Sequence, residues 1–443
     1  MKKHKILLIG LGSIGSNLAH SLIEKGYQIN IWDKDIKKTR LLSKKLNIEY
    51  IQNISKFLKN QKLVIIFAIP AGTATDNFIL KNIKYFKKKI HIVDLGNNHP
   101  NDTIRRFNFL KKNNVKYISC GFSGGSHGAR TNASLMVSCE NKEFIFLKKL
   151  FLDIIGKENK KFLKKIGSNP CLGNYTKIIH NGIEYAVMQA IADYYNAMRT
   201  VIRLDNNQII KELSKLEKRI GGNYLIEITK NIIKNSENEN SSINNILDIV
   251  DDNNTGAWAV SLASEFKFPI PSISSSVEAR FISRKKRIYK NLKIQKKKIQ
   301  TKKIKDMMLE ILYLAIIASY SQGIGLLKEI VNKKKIIINF KHVFLCWMNN
   351  SIIRSSLLND YYSQTKNNRI NVDSIFKKKF TSDKNKILIY ILSFLISKNL
   401  ALTSISSLFN WTNLLIRRRN ISFSLIQKQR NYFGGHKILF HKL

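Results

Sequence analysis

The first third of the chain alternates between short apolar runs and amphipathic stretches. "KILLIG" (5–10), "QINIWD" (28–33), "LVIIFAI" (63–69), "HIVDLG" (91–96) and "YISCGF" (117–122) are apolar runs that end in turn-forming residues. Runs this short and this continuously apolar read as strands buried on both faces. Between them lie helical patterns such as "SNLAHSLIEKG" (16–26) and "NDTIRRFNFLKKNN" (101–114). Strand and helix in alternation predict a parallel sheet covered on both sides. From about residue 170 the strand pattern stops. Helical periodicity then dominates over 175–202, 205–220, 240–265, 304–332 and 384–398. The expected architecture is an α/β domain over 1–170, a large all-α domain over 171–426 and a turn-like C-terminal tail over 427–443.

"GLGSIG" sets Gly10, Gly12 and Gly15 directly after the first strand and at the start of the first helix. Gly10 permits the tight turn, Gly12 lets the backbone approach a pyrophosphate, and Gly15 lets helix and strand pack closely. Asp33 follows about 20 residues on, where an acidic residue meets the ribose. The first domain is therefore expected to be a Rossmann-type dinucleotide-binding domain. "SGGSHGA" (123–129) is a second glycine-rich turn whose amides could approach an anion; alone it is a weak signal.

"YTKIIHNGIEYAV" (175–187) is the most informative stretch. Lys177, His180, Asn181 and Glu184 interrupt an apolar helix at positions that share one face. A base, an imidazole, an amide and a carboxylate on one stripe point to an active-site helix. Gly182, unfavourable inside a helix by about 1 kcal/mol relative to Ala, suggests close approach by a cofactor or substrate.

Composition changes this picture little. The chain has 443 residues, 44% of them apolar, and a net charge of +46. Such a charge raises nucleic acid or an anionic membrane as partners. The lysines are dispersed in short runs, such as 87–89 and 295–305, with abundant Asn and Ile, and no nucleic-acid motif accompanies them. No specific nucleic-acid partner is expected. Cys120, Cys139, Cys171 and Cys346 are far apart, with no C-x-x-C pair, so neither zinc nor disulfides are indicated and a reducing cytoplasm is expected. The apolar run near the N-terminus is broken by glycines, against a signal peptide. The stretch "ILIYILSFLIS" (387–397) is too short to span a bilayer, and no membrane partner is expected.

The chain resembles the 6-phosphogluconate dehydrogenase family of decarboxylating enzymes along essentially its whole length. "GLGSIGSNLA", "AGTATD" (71–76), "VDLGNNHPNDTIRR" (93–106), "SGGSHGA", the helix from Tyr175, "EARFIS" (278–283), "YSQG" (320–323), "IIRS" (352–355) and "QRNYFGGH" (429–436) occur in the family's order. The resemblance implies oxidation of 6-phosphogluconate followed by a metal-free decarboxylation to ribulose 5-phosphate. Lys177 would be the general base, with its pKa lowered by burial and neighbouring positive charge, and Glu184 the general acid. Asn97, Ser123, Gly124, Gly125, His180 and Asn181 would hold the carboxylate and hydroxyls. Tyr185, Arg280, Arg430 and His436 would hold the phosphate end. Gly10, Leu11, Gly12, Ser13, Ile14, Gly15, Asp33, Lys34, Asp35, Ala71 and Asn97 would line the cofactor, NADP by resemblance. A homodimer is implied, in which the tail carrying Arg430 and His436 completes the partner's site.

Departures accompany the match. Asn253 stands where the family has a phosphate-binding lysine, Leu95 for a glycine, Ser126 and His127 for two glutamates, and Pro70 for a cofactor-loop lysine; "WMNNSIIRS" (347–355) lacks Arg-Gly-Gly. Asp33, Lys34 and Asp35 replace asparagine, arginine and threonine, so NAD use is also expected: a carboxylate there can bond a ribose 2′-hydroxyl and repels a 2′-phosphate. Two rival readings are a β-hydroxyacid dehydrogenase for another acid, and a decayed relative serving as a basic binding protein.

Overall fold

The computed structural model describes residues 5–59, 63–86, 90–236, 242–251, 254–285, 302–416 and 420–440. Asn253, the lysine run at 87–89 and most of the run at 295–305 lie outside the described residues.

Seven strands form one sheet in the order β2-β1-β3-β4-β5-β6-β7. They are β1 (Lys5–Ile9), β2 (Ile29–Trp32), β3 (Leu63–Phe67), β4 (His91–Asp94), β5 (Lys116–Ser123), β6 (Ser134–Ser138) and β7 (Lys165–Gly167). The first five pair in parallel. Their continuous apolar runs are explained by burial on both faces: Ile6 and Leu8 enter one core, Leu7 and Ile9 the other. β2 and β3 lie on opposite sides of β1, so the chain order reverses there. A crevice opens at the carboxyl ends of strands at such a reversal, and ligands bind in it.

The sheet also extends beyond the five parallel strands read from the sequence. β6 runs antiparallel to β5, and β7 is parallel to β6 with an irregularity at Val137/Ser138. β7 has three residues, and between β5 and β6 stands only the six-residue helix Gly125–Arg130 within the glycine-rich stretch, so the strand–helix alternation gives no sign of them.

Beyond residue 170 the described elements are helical. Helix Leu172–Thr200 is 29 residues long and packs most heavily on helix Lys302–Lys333. Gly323 marks that crossing: a Cβ there would lie 2.5 Å from the Ile183 side chain. Among the described residues, Lys303–Lys333 is the one helix long and apolar enough to cross a membrane, but 83% of its apolar window is buried inside the fold.

Two helical expectations also change. The stretch 240–265 is not one helix; a short turn at Ile243–Asn245 precedes a helix that starts only at Thr255. Its Ser, Asn and Asp side chains compete for backbone groups and disfavour a helix interior. Conversely, the tail is not all turn: Ile421–Gly434 is helical, although none of its residues is buried.

The long helix Leu172–Thr200 lies against the sheet through two glycines. At Gly173 a Cβ would meet Ser119 O at 2.8 Å and Met136 O at 3.0 Å. At Gly121 on β5 it would meet Gly173 O at 2.8 Å and the Lys177 Cβ at 2.9 Å. Those neighbours are mostly backbone and cannot rotate away. Gly121→Ala is therefore expected to cost about 1–3 kcal/mol by overpacking and to displace Lys177. Thermal denaturation checks this; an unchanged melting temperature would contradict the contact.

Candidate active site

The close seating of the helix buries its polar stripe. Lys177 is 8% exposed. Burial lowers its amine to about 8, and the nearby Glu184 carboxylate opposes that shift. The expected help from neighbouring positive charge is not found among the described residues: desolvation does the lowering. Glu184, two turns on, is raised by burial, with Lys177 and Arg280 pulling the other way. Lys177 is thus shifted towards its neutral form and Glu184 towards its protonated form, the bias that acid–base chemistry near neutral pH uses.

β5 continues past the partner of Asp94, Ser119, to Ser123, and so carries Ser123 to the same helix face. His180 is completely buried, and its Nδ1 lies 3.1 Å from Asn181 Oδ1, which can only accept. Burial holds the imidazole well below its ordinary pKa, with Lys177 adding to that effect. The ring is therefore neutral with the proton on Nδ1. Nε2 must then accept from the Ser123 hydroxyl, 2.9 Å away. The Ser123 oxygen accepts in turn from the Ile352 amide at 3.2 Å. Asn181 Nδ2 donates to Thr255 Oγ1 at 2.8 Å. With both ring nitrogens engaged inside the protein, His180 orders Ser123 and Asn181. Gly124 and Gly125 follow Ser123 with φ of +118° and +63°, which a residue with a side chain adopts only under strain.

Tyr185 and Arg280 also come together, with the guanidinium 3.4 Å above the ring. Arg430 and His436 do not join them: both are exposed on the tail. Asn97 is half-buried in the loop after β4. That loop leads into helix Pro100–Lys112, whose first residue accepts at Pro100 O from Sγ of Cys171, the N-cap of the long helix, at 3.3 Å. All four cysteines are free and buried, and burial pushes the Cys171 thiol up to about 11.

The glycine-rich turn has the form a dinucleotide needs. Gly10 has φ +93°, and a Cβ at Gly15 would lie 1.9 Å from Gly10 O. Beside Gly12, the N-cap of helix Ser13–Glu24, no atom of the described residues lies within 4 Å of the Cβ position. That open approach to a helix N-terminus fits a pyrophosphate. Asp33 accepts from Leu11 N at 2.7 Å and Asp35 N at 2.9 Å. Asp35 caps helix Ile36–Leu46 through Lys37 N and Lys38 N.

Other positions differ from the reading of the sequence. Gly182 makes room for protein: its Cβ would lie 3.1 Å from Ile273 and 3.2 Å from Ala259. Of the departures, Leu95 is buried and donates its amide to Phe67 O at 2.9 Å, whereas Pro70, Ser126 and His127 are exposed. Thr255 and the Ile352 amide escaped notice because their partners are distant in sequence. Arg106 escaped too, although its place on the buried Thr103–Arg106–Leu110 stripe of helix Pro100–Lys112 was a readable signal.

Comparison with known proteins places this geometry. The model for the C-terminal domain of 6-phosphogluconate dehydrogenase matches residues 173–441, and that for the NAD binding domain of 6-phosphogluconate dehydrogenase matches residues 5–167. The decarboxylating 6-phosphogluconate dehydrogenase of Buchnera aphidicola (subsp. Acyrthosiphon pisum, strain APS) is 31% identical, covering 98% of this chain and 96% of that protein. The Staphylococcus aureus (strain N315) protein of the same name is 30% identical at the same coverage. The Plasmodium falciparum 6-phosphogluconate dehydrogenase, solved in apo form and with NADP+ or 6-phosphogluconate, superposes with a TM-score of 0.87 at 28% identity, covering 99% and 98% of the two chains. A Mycobacterium tuberculosis 3-hydroxyisobutyrate dehydrogenase, at 14% identity and TM-score 0.51, covers 64% of this chain and 94% of its own and shares the fold alone. Both family models and full-length relatives agree, and the chain belongs to the 6-phosphogluconate dehydrogenase family.

Proposed function

We propose that this chain carries out the NADP-dependent oxidative decarboxylation of 6-phosphogluconate to ribulose 5-phosphate and CO2. One observation carries the reading: a buried lysine lowered to about 8 shares a helix face with a carboxyl raised by burial.

Neutral Lys177 takes the proton of the C3 hydroxyl. The chemistry supplied by bound NADP is acceptance of the hydride from C3. Protonated Lys177 then polarises the new C3 carbonyl, which receives the electron pair as the carboxylate leaves as CO2. Glu184 donates a proton to the terminal carbon of the enediol. Ser123, held by His180, and Asn181, held by Thr255, hold the substrate's carboxylate and hydroxyls together with Asn97, Gly124 and Gly125. Arg280, stacked on Tyr185, offers a planar fork suited to the phosphate. Gly10 to Gly15, Asp33 to Asp35, Ala71 and Asn97 hold NADP.

Cofactor preference follows from the end of β2. The carboxylates of Asp33 and Asp35 are held by backbone amides, and Lys34 alone between them offers charge to a 2′-phosphate, as a point charge rather than a planar fork. NADP is the cofactor, with NAD used appreciably. The test is an assay of purified protein with 6-phosphogluconate and each cofactor, following reduced cofactor and CO2. Turnover is expected with both and is lost in Lys177→Met, whereas Glu184→Gln impairs turnover with substrate binding largely intact. No CO2 release, or near-normal activity of Lys177→Met, would overturn the reading. A preference for NADP of a hundredfold or more, about 2.7 kcal/mol, would overturn the appreciable use of NAD alone.

The chain is further proposed to act as a homodimer, with the tail of one protomer supplying Arg430 and His436 to the other. In support, Phe423, Leu425, Tyr432 and Phe433 on the tail helix are exposed, as are Met188, Phe281 and Ile282 around Arg280. Mixing Lys177→Met protein with Arg430→Ala protein under subunit exchange should restore activity, since one hybrid site has both groups. A fully active monomer would contradict this.

A further inference from the structure

Arg106 is 2% exposed, on the buried stripe of helix Pro100–Lys112. A buried guanidinium is tolerated when its donors are matched, and here all three nitrogens donate, in four bonds. Nε donates to Asp76 Oδ1 at 2.7 Å. Nη2 donates to Asp76 Oδ2 at 3.1 Å and to Gly72 O at 2.8 Å. Nη1 donates to Asn98 Oδ1 at 2.7 Å. Burial alone would raise the Asp76 carboxyl, but bonds from Arg106 and Arg105 bring it down to about 2.

These partners belong to two separate segments. Gly72 ends the loop after β3 and caps helix Thr73–Asn82, whose first turn carries Asp76. Asn98 follows β4, and its Nδ2 donates to Gly96 O at 3.1 Å. The loops touch at Gly96, where a Cβ would lie 2.9 Å from Ile69 O. Ala71 and Asn97 each adjoin a residue bonded by the guanidinium. One planar group therefore spans the crevice wall built by both loops, beside the reversal of strand order where the dinucleotide enters.

We propose that Arg106 is a positioning residue for NADP: it sets the spacing between the Ala71 loop and the Asn97 loop without itself touching the cofactor. The inference rests on the NADP reading above. A lysine keeps the charge but cannot reach both loops with a planar fork. The experiment measures NADP binding to the full chain, without substrate, for wild type and Arg106→Lys, together with thermal melting. Arg106→Lys is expected to raise the NADP Kd tenfold or more, with the cofactor KM rising more than kcat falls. A lowered melting temperature with Kd within twofold of wild type would mean a merely structural arginine and would overturn the proposal. If Arg106→Lys fails to fold, Asn98→Ala removes one arm only; a threefold or greater rise in Kd supports the proposal and an unchanged Kd overturns it. Failure of the wild type to bind NADP would instead sink the cofactor reading, and this inference with it.

Discussion

The structure depends on how closely the helix Leu172–Thr200 can approach the sheet. Without a side chain at Gly121 or Gly173, the helix backbone meets the β5 and β6 carbonyls at contact distance. That approach helps to remove water from Lys177, whose Cβ lies against Gly121, and desolvation is the largest influence on its amine. A more distant helix would leave Lys177 solvated, with an amine near 10.4 and a far smaller neutral fraction at neutral pH. Packing and chemistry are thus the same contact seen from two sides.

The surrounding polar groups keep that desolvated face ordered. His180 links Ser123 at the end of β5 to Asn181, and Asn181 links to Thr255 at the start of another helix. The Ile352 amide closes the set on Ser123, and Tyr320 OH holds Ile353 O at 2.5 Å behind it. Ser123, His180, Asn181 and Thr255 each have a defined partner, so this part of the face presents one arrangement of donors and acceptors. Networks that are fully matched in this way favour a single core arrangement.

Much of this was legible in the sequence because it is local. The five parallel strands are continuous apolar runs, the dinucleotide turn is a glycine spacing, and the Lys177–His180–Asn181–Glu184 face is a helical spacing. What was not legible depends on distance or on burial. β7 has three residues, and β6 is separated from β5 only by the short helix Gly125–Arg130. Gly182 reads as a ligand contact until Ile273 and Ala259 are found against it. Nothing near Lys177 in sequence shows that burial, rather than another cation, lowers it. The tail is a case apart: its helix and its motif are both present, yet Arg430 and His436 stay exposed within one chain. The proposed dimer would account for that exposure, because a residue acting in another protomer is not placed by contacts within its own chain.

The central claim is that burial alone prepares Lys177 to act as a base. The pH dependence of kcat/KM for 6-phosphogluconate tests it most directly, because that ratio reports groups of the free enzyme. The amine must lose its proton to act, so kcat/KM should rise about tenfold per pH unit on the acid side and level off near pH 8, the value set by burial. A profile that keeps rising to about pH 10, the range of an ordinary solvated lysine, or one flat from about pH 6 to 9, would contradict the account.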